Sequence, residues 1–263
     1  MRPVKPFVTR HLTGDCRFLI LCDHASNHVP AAFDGLGLSP QQLERHIAYD
    51  IGALGVAEKI ADTLSCPLVA AQFSRLVIDP NRGLDDPTLV MKLSDGDVIP
   101  ANVHVDPFRD KAAWQARIDD YYTPYHAAIE AALAHAQKQD VAPIILSVHS
   151  FTPVWRGAAR PWQAAVLWDK DDRLKRVMTD YMEQLPDIEF GDNQPYTGRL
   201  KNDCLYRHGT QNGLPHALIE LRQDEIAEAE GQAFWAAHMV EILRRAAAEP
   251  DLATRRFIGS FSA

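Results

Sequence analysis

Three stretches of this 263-residue chain join an apolar run to polar residues able to do chemistry. Asp23-His24-Ala25-Ser26-Asn27-His28 follows Arg17-Phe18-Leu19-Ile20-Leu21-Cys22, and His149-Ser150 follows Pro143-Ile144-Ile145-Leu146-Ser147-Val148. Glu220 interrupts Ala217-Leu218-Ile219-Glu220-Leu221, with Arg222 and Asp224 just beyond it. Neutral imidazole is a common zinc ligand, and a third ligand beside an open water position makes a catalytic site. Two histidines leaving different strands at one sheet edge, His24 and His149, can therefore share a divalent ion. In His24-x-x-Asn27 the amide one turn further on is a candidate third ligand, with Asp23 as the alternative. The competing reading has each histidine simply bonded to backbone at the end of a strand.

A carboxylate inside an apolar strand is costly unless it is paired or used. Beside an activated water, Glu220 would act as general base and return the proton to a leaving amine. Its alternative is a salt bridge to Arg222 on the same strand face, and the two readings are compatible. Ser74-Arg75-Leu76-Val77-Ile78-Asp79-Pro80-Asn81-Arg82 sets two arginines around a short apolar core. Guanidinium forks match carboxylates, so Arg75 and Arg82, with Asn81 between them, are candidates for gripping an acidic substrate or polarising its carbonyl. A structural Arg–Asp pair competes with that reading. Asp50, ahead of Gly52, reads as a helix cap in preference to a partner for a ligand histidine. Gly191-Asp192-Asn193-Gln194-Pro195-Tyr196-Thr197-Gly198 has turn chemistry, in which Asn193 and Tyr196 can offer donors to a ligand. Arg222 is a further substrate-binding candidate. A metal-free amidase would need Cys22, Ser147 or Ser150 as nucleophile. The chain has no G-x-S-x-G elbow, and Ser147 and His149 neighbour each other in one strand.

The elements positioning these residues alternate in type. Strands are expected at 17–22, 68–71, 143–149, 164–168 and 216–221, with another short one at 76–78. Helices are expected at 52–64 and 173–184, and over 112–139 with a break at Pro124 capped by Thr123. Ser39-Pro40-Gln41-Gln42 carries a capping-box signature. A last helix should bury Phe234, Trp235, Met239, Ile242 and Leu243. Strands separated by helices imply an α/β fold in three layers, a mostly parallel sheet with helices on both faces. Ligands bind at the carboxyl ends of such strands. The length fits one domain spanning 1–263. The irregular stretch from Arg82 to Asp110 is long for a connection, a property of functional loops.

A net charge of -8 disfavours nucleic acid and anionic membrane as partners, while a local basic pocket can still take a small anionic metabolite. No apolar run reaches the ~20 residues that span a bilayer. The opening Met1-Arg2-Pro3-Val4-Lys5-Pro6 lacks a leader's apolar core, and Cys16, Cys22, Cys66 and Cys204 form no C-x-x-C pair. Buried thiols in a reducing cytoplasm are the expectation.

Five segments resemble the N-formylglutamate amidohydrolase family in order and spacing. They are Cys22-Asp23-His24-Ala25-Ser26-Asn27, Phe73 to Arg82, Ser147-Val148-His149-Ser150-Phe151-Thr152-Pro153, Gly191 to Tyr196, and Leu218-Ile219-Glu220-Leu221-Arg222-Gln223-Asp224. The likeness runs from about residue 17 to 245. It implies a zinc-carboxypeptidase-like fold, related to aspartoacylases, and one divalent ion, zinc by that kinship. The implied reaction is hydrolysis of an N-acyl amino acid, N-formyl-L-glutamate foremost, with histidine degradation as the setting. His24 and His149 carry over as ligands and Glu220 as general base. Where those relatives have His-x-x-Glu, this chain has Asn27, a weaker ligand. That departure keeps a non-catalytic acyl-amino-acid-binding protein as the alternative.

Overall fold

The computed structural model describes residues 5–262. Strands β1 (Phe7–Arg10), β2 (Phe18–Cys22) and β3 (Leu68–Ala71) precede a small hairpin, β4 (Leu93–Ser94) with β5 (Asp97–Val98). Then come β6 (Ile144–Phe151), a second hairpin of β7 (Val154–Trp155) and β8 (Ala158–Ala159), β9 (Ala164–Leu167), β10 (Phe190–Asp192) and β11 (His216–Arg222). The helices are α1 (Pro40–Leu43), α2 (Ala53–Leu64), α3 (Lys111–Arg117), α4 (Thr123–Lys138), α5 (Arg173–Met182), α6 (Cys204–His208) and α7 (Ala229–Ala248).

The main sheet has seven strands in the order β1-β3-β2-β6-β11-β9-β10. Four of its pairings are parallel, while β1 with β3 and β11 with β9 are antiparallel. Parallel strands covered on both faces must be apolar at nearly every position, and β2 and β6 are buried along their whole length. Side chains alternate across the sheet. Phe18, Ile20, Ile144, Leu146, Ala217 and Ile219 pack under α2, α5 and α7. Leu19, Leu21, Ile145 and Leu218 face the layer containing α4. Continuing that second set by twos reaches Asp23, Ser147, His149 and Glu220. The polar residues thus emerge on one face of the central strands, toward their carboxyl ends.

The expected elements appear with few changes. Ser39 and Gln42 make the capping box at α1. Leu76–Ile78 forms no strand; it is a fully buried bend whose Ser74 hydroxyl accepts the Leu76 N–H, so its apolar character comes from burial alone. At Pro124 the helix continues. A π-helical turn over Ile118–Tyr122 absorbs the irregularity, and Thr123 lies in helical backbone without capping it. Phe234 is 50% exposed on the outer side of α7, while Trp235, Met239, Ile242 and Leu243 are buried. Edge strands β1 and β10 were not expected. Each is short and only partly buried, so it carries little periodic signal. The Arg82–Asp110 stretch holds the first hairpin and is pinned by Asn102, whose amide donates to the Leu76 and Met91 carbonyls. Cys22, Cys66 and Cys204 are buried free thiols, and Cys16 is half-buried. No helix among the described residues is long and apolar enough to cross a membrane.

Candidate active site

Parallel register sets Glu220 on β11 directly beside His149 on β6. His24 follows β2 in a turn whose carbonyl accepts the Asp50 N–H at 2.9 Å, drawing the segment before α2 over the strand ends. Gly52 makes that approach feasible. It holds φ +81, and a Cβ there would stand 2.3 Å from the Ile226 carbonyl oxygen. Asp50 is fixed as a result between two imidazoles. Its Oδ2 lies 2.7 Å from His149 Nδ1 and 3.3 Å from His24 Nδ1. The helix-cap reading of Asp50 is corrected accordingly, since Gly52 occupies the cap position and no side chain caps α2.

The far nitrogen of each ring is also engaged. His24 Nε2 meets Asp79 Oδ1 at 2.7 Å, and His149 Nε2 meets Asp23 Oδ2 at 3.0 Å. Asp79 is in turn paired with Arg75 at 2.8 Å, and Asp23 accepts the Tyr125 and Ser147 hydroxyls at 2.8 Å each. Such outer carboxylates orient metal-ligating histidines and fix their tautomers. Both Nδ1 atoms therefore point at one carboxylate oxygen, and the three groups can hold an ion together. Burial works against a charged His149, yet the hydrogen bonds and charges of Asp23 and Asp50 outweigh it and push the ring up to about 10. The same imidazoles hold Asp23 and Asp50 well below the usual carboxylate range in spite of burial.

Glu220 completes the group. It is 7% exposed, and its Oε2 is buried without a hydrogen-bond partner. Burial pushes its carboxyl up to about 7 against the pull of charged His149, with Asp50 adding to the rise. The salt-bridge reading fails, because Arg222 pairs with Asp224 and Glu225 at 2.7 and 2.9 Å.

His24, Asp50, His149 and Glu220 line a cavity of about 230 Å³ together with Arg75, Asn81, Arg82, Tyr196, His46, Gln223 and Asp203. Asn81 also accepts the Cys204 N–H through its side-chain oxygen at 3.2 Å. Three sequence candidates stand elsewhere. Asn27 donates its amide to the Leu43 carbonyl at 3.1 Å and lines no part of the cavity, while Asp50 stands with His24 and His149 in the group that could hold an ion. Asn193 accepts the Trp168 and Gly198 N–H groups, stapling its own loop. Arg222 points away, with Pro161 and Glu189, into an outer groove. Asp23 lies beneath His149 and acts on the ring's far nitrogen. Sequence reasoning gave no role to His46, Gln223 or Asp203. Only the turn after β11, carrying Gln223 directly behind Arg222, held a signal for one of them.

An α/β sheet with histidines and carboxylates converging at its strand ends defines a hydrolase-type pocket. The chain belongs to the N-formylglutamate amidohydrolase family, whose model matches residues 16–227, and it is an amidohydrolase. Among solved structures it is similar to a gene product of Agrobacterium tumefaciens, with 31% identity, a TM-score of 0.87, and coverage of 93% of this chain and 96% of the other. It also shares its fold with N-formylglutamate amidohydrolase from Ralstonia eutropha JMP134, at 23% identity and a TM-score of 0.65, over 93% and 98% of the two chains. No curated protein matches the sequence significantly.

Proposed function

We propose that this amidohydrolase cleaves the amide of an N-acyl amino acid, N-formyl-L-glutamate foremost, to formate and L-glutamate, as in histidine degradation. The observation that carries the reading is the pair of imidazoles turned Nδ1-first onto Asp50, with Glu220 free at its Oε2 beside them. In this reading His24, His149 and Asp50 hold one divalent ion, zinc by its preference for imidazole and carboxylate donors. When bound, it would polarise the acyl carbonyl and lower the pKa of an attacking water.

The chain's own groups do the rest. Glu220 takes the proton of the attacking water as its oxygen bonds to the acyl carbon. It then delivers that proton to the amine nitrogen as the C–N bond breaks. Arg75, paired with Asp79, lines the cavity where negative charge develops on the acyl oxygen. Arg82 lines the same cavity and grips a substrate carboxylate, with Asn81 and Tyr196 beside it. A serine or cysteine nucleophile fits the site poorly: Ser147 Oγ lies 3.1 Å from His149 Nε2 but is fully buried and lines no part of the cavity. Ser147 and Ser150 donate their hydroxyls to Asp23 and to the Ile51 carbonyl. Cys22 faces the opposite layer, where burial drives its thiol pKa well up.

The test pairs metal content with formate release from N-formyl-L-glutamate, before and after chelation. Chelator-sensitive formate release, restored by zinc, is expected. Bound metal without formate release would move the substrate to another N-acyl amino acid. Formate release that survives complete removal of metal would overturn the metal-dependent mechanism.

A further inference from the structure

A second histidine cluster lies behind the first and takes no part in the proposed reaction. His126 on α4 and His208 on α6 approach with His126 Nδ1 2.8 Å from His208 Nε2, their rings stacked at 5.1 Å. Cys204, one turn before His208 on α6, joins them, and one ligand atom from each of the three residues lies within 4.8 Å of the others. All three side chains are buried. We propose that His126 Nδ1, His208 Nε2 and Cys204 Sγ form a second site for a borderline-soft divalent ion such as zinc, separate from the His24–Asp50–His149 cluster.

Several observations support this site. Two imidazoles and one thiol are the donor set that zinc and cobalt favour and that magnesium and calcium do not. Both rings are buried, and a neutral imidazole binds an ion through one ring nitrogen while the other keeps its hydrogen. Charge also balances, because Asp23 lies beside the Cys204 thiol and would offset the one positive charge left by a divalent ion on one thiolate. His208 borders a surface groove with Glu130, Gln211 and Asn212, which gives the ion a route inward. On binding, the Cys204 thiol releases its proton to solvent. The hydrogen shared by the two rings moves to a ring nitrogen facing away from the ion.

Cobalt discriminates between the two clusters, because only the second holds a sulfur ligand. The chelated full-length protein, titrated with cobalt, should take up two ions per chain and develop a thiolate-to-cobalt charge-transfer band in the near ultraviolet. Cys204→Ser should abolish the band and reduce uptake from two ions to one. Asp50→Asn should also reduce uptake to one while leaving the band intact. Saturating cobalt that gives no thiolate band in the unmodified protein overturns the second site, whatever the variants do. A band accompanied by one ion only, unchanged in Asp50→Asn, upholds the second site and counts against the first. Far-ultraviolet circular dichroism of Cys204→Ser confirms that a lost band reflects the ligand and not the fold.

Discussion

The protein buries two pairs of histidines about one sheet and treats them in opposite ways. At the strand ends, His149 sits between Asp23 and Asp50 and is pushed up to about 10. Behind it, His208 has its neighbours His126 and Arg207 and is pushed by burial down to about 3. Both rings are out of water, so desolvation acts on each in the same direction. The difference comes from what burial encloses with them. Carboxylates beside an imidazole in a low-dielectric site stabilise its charge, while another imidazole offers a lone pair and no compensation. The first cluster is charge-dense and opens to a cavity, as chemistry on a carbonyl requires. The second is neutral and lies outside that cavity, with His208 alone of its three residues bordering a surface groove.

The most severe way to break this contrast is to remove the centre of the charged cluster. Asp50→Asn should lower turnover by about 10³-fold and abolish metal binding at the strand ends. Glu220→Gln should cost a similar ~10²–10⁴-fold, the usual contribution of a general base, but with metal retained. Metal analysis beside steady-state kinetics separates the two. Equal metal loss in both variants would put Glu220 among the ligands and remove it as base. A smaller effect follows from Asp79→Asn, which frees His24 Nε2 from its carboxylate. Metal affinity should fall about 10–100-fold, measured by competition with a chromogenic chelator. No change there would mean that the Asp79–Arg75 pair serves only the loop.

How far the sequence discloses this arrangement depends on the range over which each residue is positioned. The central strands announce themselves, because burial on both faces makes runs such as Phe18–Cys22 and Ile144–Val148 apolar throughout. His24, His149 and Glu220 are legible as breaks in those runs. Asp50 is not. It lies 26 residues beyond His24, and only the fold of the 24–52 segment, closed by the Asp50 N–H to the His24 carbonyl, returns it to the site. Local spacing favours Asn27 for the same reason, since a helical turn would carry it to the ion. The chain after His24 is not helical and turns the amide toward Leu43 instead. Asn193 and Arg222 mislead differently. Their donors and acceptors are spent on backbone and on neighbouring acids, which no pattern of residue types reveals. Conversely, the His126–Cys204–His208 group joins α4 to α6 across 78 residues of chain, and neither helix marks its member as special.

The neutral cluster can be probed through acid. A group whose folded pKa lies below its unfolded value contributes stability above the unfolded value and loses it as pH falls toward the folded one. For His208 the window runs from its ordinary 6.5 down to about 3. In ion-free protein, lowering the pH from 6.5 to 5 should therefore remove about 2 kcal/mol through this residue. His208→Gln carries no such loss, so its stability should approach or overtake that of the unmodified protein as the pH falls. Denaturant unfolding at the two pH values measures the convergence. A gap that stays constant would mean that His208 already takes up its proton in the fold.

The smallest expected effect is the one that sequence spacing alone would have ranked among the largest. If Asn27 held the ion, Asn27→Ala would cost as much as Asp50→Asn. With the amide bonded to the Leu43 carbonyl and absent from the cavity, the substitution should change turnover by no more than about 2-fold. Stability should fall by about 1 kcal/mol, the net value of one part-buried hydrogen bond. Denaturant midpoints and kinetics on one preparation read both quantities. Loss of metal in Asn27→Ala would show that the 24–28 segment rearranges when the ion binds and brings the amide in. In that event Asp50 would become the partner that orients His149, and the division of labour between the carboxylates would have to be redrawn.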